Sequence, residues 1–88
     1  MATSRDRTRV EVRVELKPGI MDAEAESVEK SLGLLGLDKL QNVRTARIFT
    51  LEFKKVSEQE ARRLADRAVD RLLANPVIHR VEIRTLPD

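Results

Sequence analysis

The chain has 88 residues, one histidine, no cysteine, and 17 basic against 15 acidic side chains, a formal net charge of only +2. That length makes one domain, residues 1–88, near the lower limit at which a core suffices without disulfides or metal, so self-association is a ready source of extra stability. The missing cysteine excludes disulfides, thiolate nucleophiles and thiolate metal sites, and the near-balanced charge argues against a nucleic-acid partner held by electrostatics alone.

The opening MATSRDRTR has no apolar run like a signal peptide's, and residues 1–8 are expected to be a mobile segment. No apolar stretch is long enough to span a bilayer, so the expectation is a cytoplasmic protein with no membrane partner. From Val10, VEVRVELK alternates strictly: Val10, Val12, Val14 and Leu16 on one side, charged residues on the other, the pattern of a half-buried strand. Pro18-Gly19 breaks it. Asp22 is placed as a helix N-cap, Glu24 and Glu26 suit the positive end of the dipole, and Ala25, Val28, Leu32 and Leu35 form an apolar stripe up to Gly36, a C-terminal stop.

NVRTARIFTLEFKK reads as an unusually long strand, with Phe49, Leu51 and Phe53 sharing a face. About twelve strand residues extend roughly 40 Å, beyond what the neighbouring strands cover, which leaves a strand edge seeking another chain. Arg47 and Ile48 fall out of phase, and a bulge or bend near Ala46-Arg47 would account for that. Ser57-Glu58-Gln59-Glu60 is a capping box opening a second helix with stripe Ala61, Leu64, Ala65, Ala68, Leu72 and Leu73, ended by Asn75-Pro76. Val81 and Ile83 alternate with Arg80, Glu82 and Arg84 in a last strand. The order is β-α-β-α-β, a two-layer α+β domain with both helices on one sheet face, and a sharp bend in the middle strand would convert it to a ferredoxin-like βαββαβ order.

The chemistry is sparse. His79 shares its parity with Val77, Val81 and Ile83 and points toward the apolar layer or its rim. Its expected role is structural, because a catalytic histidine needs an oriented partner and no nucleophile motif accompanies it. A single histidine with dispersed carboxylates matches no metal-ligand spacing. Lys17-Pro18-Gly19 is a turn rather than a phosphate cradle. Arg62, Arg63, Arg67 and Arg71 interleave with Glu58, Asp66 and Asp70 at helical pair spacing, a neutralised solvent face, and the second sheet face, with Glu11, Arg13, Glu15, Glu52, Arg80, Glu82 and Arg84, reads as solvated and ion-paired. The expectation is therefore no catalytic, cofactor-binding or metal residue in this chain.

VEVRVELKPGIMDAEAESVEKSLGLLG, NVRTARIFTLEF and RLLANPVIHRVEI, in this order and spacing, resemble the PurS family, small subunits of phosphoribosylformylglycinamidine synthase. Asp22-Ala23-Glu24-Ala25 and Ala46-Arg47 depart from the Pro-Gly and Gly-Lys that family members often carry there. The resemblance implies a scaffold joining a glutaminase subunit, PurQ, to a synthetase subunit, PurL, in the ATP- and glutamine-dependent conversion of formylglycinamide ribonucleotide to its amidine in purine biosynthesis. It also implies a homo-oligomer, with ATP and magnesium bound at the synthetase and not here. Rival readings are a ligand-sensing module of the ACT type, an RNA-binding ferredoxin-like module, and a small enzyme using His79.

Overall fold

The computed structural model describes residues 6–87, so the first five residues of the segment expected to be mobile lie outside it. Strand β1 (Arg7–Leu16) leads to helix α1 (Ala23–Leu34), strand β2 (Ala46–Lys54), helix α2 (Glu58–Ala68), a π-helical turn (Val69–Leu73) and strand β3 (His79–Thr85). The sheet has three strands in the order β2-β1-β3, both pairings antiparallel. β1 begins three residues before the expected Val10. Thr8 is 1% exposed and donates its hydroxyl to the Val56 carbonyl at 3.0 Å, so Arg7 and Thr8 belong to the sheet and not to a mobile arm.

The alternation of β1 places Val10, Val12 and Val14 on the face that α2 covers, where Ala61 and Ala65 are fully buried against them. Two alanines on one helix face let its backbone approach the sheet closely, and Phe49, Leu51, Phe53, Val81 and Ile83 complete the layer from the flanking strands. Ser57 caps α2 as expected, its Oγ accepting the Glu60 N–H at 3.0 Å, but the Glu60 carboxylate turns to Arg63 at 2.6 Å instead of closing the box. The helix then widens into the π turn, shown by the Ala74 N–H bonding to the Val69 carbonyl. The wider turn shifts the phase. Leu73 reaches the core while Leu72, expected on the same stripe, is 83% exposed.

The middle strand differs from the sequence expectation in length and regularity. β2 has nine residues, each opposite one residue of β1 from Arg7 to Glu15, so it carries no bulge or bend, and among the described residues there is no fourth strand. Nor is there an overhang. Thr45, just before it, is tied to Asp22 through its N–H and its hydroxyl, and this draws residues 42–45 off the ladder. Arg47 is in phase with Phe49 but exposed, whereas Ile48 stands on the charged face opposite Arg13.

Helix α1 is also not where the two-layer pattern places it. Asp22 caps it, Oδ1 accepting the Ala25 N–H at 2.9 Å, and Gly36 at φ +96° ends it in a Schellman motif, with Leu37 N–H to Leu32 C=O and Gly36 N–H to Gly33 C=O. Yet no α1 residue joins the core cluster, and α1 does not pack on the sheet. It continues past the strand ends. A ten-residue strand of about 33 Å followed by a twelve-residue helix of about 18 Å accounts for the 53 Å long axis. The radius of gyration, 17.3 Å, is well above the roughly 12 Å of a compact chain of this length.

Candidate functional site

Because α1 projects, the apolar stripe that its sequence carries has nothing to cover it. Ala25 is buried at the base, but Val28 and Leu35 on the stripe are exposed, Leu35 to 75%, and Ile20, Met21, Leu34 and Leu37 beside it are exposed as well. One of the sheet's three strands shares this condition. α2 packs over β1 and β3, which leaves Phe49, Leu51 and Phe53 of β2 only half-buried. Soluble monomers seldom leave an apolar helix face and an apolar strand face open together, and surfaces of this kind mark protein contacts.

The opposite sheet face is an ion-pair lattice. The register sets Glu11 opposite Arg84 and Glu15 opposite Arg80, and both pairs close, at 3.3 and 2.6 Å. Glu15 is the centre of the lattice. Arg80 forks onto Oε2 at 2.6 and 3.0 Å while Arg13 and Arg44 approach Oε1 at 3.5 Å, and the Arg80 hydrogen bond above all holds the Glu15 carboxyl below its ordinary pKa. The two aromatic side chains of the chain, Phe49 and Phe53, lie on the helix-covered side, so this open face offers no stacking platform for bases.

His79 is half-buried on the core side at the start of β3, opposite Leu16. Its Nδ1 accepts the Asn75 N–H at 2.9 Å and its own N–H donates to the Asn75 carbonyl at 2.8 Å, while Asn75 Oδ1 accepts the Val77 N–H. An imidazole accepting at Nδ1 carries its hydrogen on Nε2. The ring fixes the Asn75–His79 turn. Asp66 and Asp70 rim the adjoining groove, floored by Val69, Ala74 and Val81, but among the described residues no hydrogen bond or ion pair joins His79 to a carboxylate. Nor, among the described residues, do any three His, Asp or Glu side chains gather to hold a metal ion, and no helix among them is long and apolar enough to cross a membrane.

Lys17-Pro18-Gly19 is a turn, closed by Ile20 N–H to the Lys17 carbonyl with Gly19 at φ +89°. The α2 arginines divide their duties. Arg63 pairs with Glu60, whereas Arg62 reaches across to donate to the backbone carbonyl of Ile83 at 3.1 Å, a contact that nothing in the local sequence announces.

A family model described as "PurS: Phosphoribosylformylglycinamidine (FGAM) synthase" matches residues 9–87. The phosphoribosylformylglycinamidine synthase subunit PurS of Archaeoglobus fulgidus is 38% identical over 83% of this chain and 91% of its own length. The PurS subunit from Thermotoga maritima superposes with a TM-score of 0.81 at 25% identity, covering 91% of this chain and 92% of that one. A chain in the structure of PurLQS from the same organism gives the same score and identity over 91% and 98%.

Proposed function

The chain belongs to the PurS family of phosphoribosylformylglycinamidine synthase, and from that membership we propose that it is the scaffold subunit of this ligase, joining a glutaminase subunit, PurQ, to a synthetase subunit, PurL. In this reading no side chain of this chain takes part in the chemistry. The glutaminase releases ammonia from glutamine, the synthetase uses ATP and magnesium to amidate formylglycinamide ribonucleotide, and the complex works in the cytoplasm. The small subunit contributes geometry: it holds two active sites in the relation that lets ammonia pass between them, a positional gain of the kind that converts an encounter between free species into a transfer within one assembly.

The observation that carries the reading is the match along 91% of this chain to one in a PurLQS structure. The geometry agrees with it. A chain of 88 residues that leaves α1 and the face of β2 uncovered is built to be covered by others. One of those others is a second copy of the chain, which adds burial to a chain of 88 residues whose own core is small. Mixing the purified chain with the two catalytic subunits and glutamine tests the assembly by size-exclusion chromatography with light scattering. All three co-elute if the reading holds. Co-elution of the catalytic subunits unaffected by its omission contradicts it.

A further inference from the structure

Glu15 draws more cations than one carboxylate can use. Arg80 satisfies it alone, forking onto Oε2 at 2.6 and 3.0 Å, and its hydrogen bond is the first cause of the lowered carboxyl pKa. Arg13 and Arg44 stand back at 3.5 Å from Oε1, with their side chains 44% and 53% exposed. A guanidinium carries five N–H donors, so most of theirs are unspent. The other arginines of this face are differently placed: Arg84 and Arg7 each have a carboxylate of their own, Glu11 and Glu52, and Arg9 donates to the Pro87 carbonyl. Arg13 and Arg44 share one that is already taken. Two like charges drawn to the same oxygen repel each other, and a further anion set between them relieves that repulsion.

The neighbouring side chains indicate what brings the anion. Ile48, cross-strand from Arg13, is 50% exposed on the same charged face. An apolar side chain beside arginines with free donors is the make-up of a protein contact, and a small free anion gains nothing from the isoleucine. On the other side of Arg13 lies Glu82, its cross-strand neighbour on β3. Glu82 lines the same open hollow as Arg13, Arg44 and Glu15, and among the described residues it forms no ion pair.

We propose that Arg13 and Arg44 are a docking point for a protein partner, taking a carboxylate of an acidic segment between their guanidiniums while an apolar neighbour of that carboxylate covers Ile48. The partner is one of the two catalytic subunits, an assignment that rests on the scaffold role proposed above. Charge complementarity of this kind fixes register and raises the rate of encounter as well as the affinity. Glu82 has the same sign as the incoming group and opposes it. The two arginines and the glutamate therefore act on docking in opposite directions, which a packing role for either would not produce.

The test measures binding of the purified chain to the glutaminase and synthetase subunits, singly and together, at low and high salt. The double variant Arg13→Gln with Arg44→Gln leaves the Arg80–Glu15 pair in place, so its melting temperature and its own mass are expected to match the wild type. At low salt it is expected to bind one catalytic subunit about tenfold more weakly, with a flatter dependence on salt. Glu82→Gln is expected to bind that subunit more tightly. Unchanged affinity of the double variant overturns the docking point, as does weaker binding by Glu82→Gln. A double variant that loses only its self-association gives the face to a second copy, and inorganic phosphate that binds the wild-type chain but not the double variant makes it a small-anion site; either result overturns the proposal. A wild-type chain that binds neither subunit, singly or together, refutes the scaffold reading instead.

Discussion

Asp22 and Thr45 are joined twice across the α1–β2 connection, Asp22 Oδ2 accepting the Thr45 hydroxyl at 2.7 Å and the Thr45 N–H at 3.2 Å while Oδ1 caps α1. One carboxylate thus sets both where the helix starts and where the second strand starts. Since α1 has so little other attachment, its direction depends on this clamp.

The Ala25 N–H, then the Thr45 hydroxyl, hold the Asp22 carboxyl below its ordinary pKa. A depressed folded-state value means that the unfolded chain binds the proton more readily, so the contribution is present above about pH 4 and is lost as pH falls through the lower folded value. Asp22→Asn keeps an acceptor but not the charge, and its stability is expected to fall less steeply with acid than that of the wild type. Glu15 and Glu60 are also depressed, by hydrogen bonds from Arg80 and Arg63, so the slope is reduced and not abolished. Thermal melts from pH 7 to about pH 2 measure it, and parallel curves for the two proteins contradict the clamp.

The close approach of α2 to β1 depends on Ala61 and Ala65, both fully buried against the valines. Ala65→Leu forces extra volume into that layer and is expected to destabilise the fold by about 1–3 kcal/mol. Denaturant unfolding checks this, with no loss of stability as the contrary result.

His79 holds a turn through Nδ1, and an asparagine oxygen can occupy the position of that nitrogen. His79→Asn is expected to leave turnover of the reconstituted synthase within a few-fold of normal. A loss of about 10²–10⁴-fold, the usual contribution of general acid–base catalysis, with assembly intact would assign the ring a chemical role.

Leu35 lies on the α1 stripe and is largely exposed within one chain. Leu35→Glu should therefore leave the single chain's own packing unchanged while weakening association, seen as a larger fall of Tm on dilution than the wild type shows. Identical concentration dependence would mean that nothing covers α1.

Much of this architecture is legible in the sequence because it is local. Strict alternation fixed the faces of β1 and β3, and Asp22, Gly36 and Ser57 mark helix ends by chemistry that acts within a few residues. What escapes is set by distant partners. The stripe of Val28, Leu32 and Leu35 says that α1 is to be covered but not by which chain, so it reads as the second layer of its own sheet. The diversion at Thr45 depends on a carboxylate far back in the chain, and without it residues 42–45 pass for strand. The π turn inserts no telltale residue, so Leu72 keeps an apparent place on the stripe that the wider turn takes away. The Arg62 bond to Ile83 joins a side chain to a backbone carbonyl, a partner that has no identity in sequence.

The scaffold role itself is tested most directly by comparing nitrogen donors. Amidation of formylglycinamide ribonucleotide is measured with glutamine and with ammonium, at fixed concentrations of the glutaminase and synthetase subunits, with and without this chain. Glutamine-dependent turnover is expected to require the chain while ammonium-dependent turnover by the synthetase persists without it, because what the chain supplies is the placement of two active sites. Glutamine-supported turnover that is unchanged when the chain is omitted would contradict the bridging role.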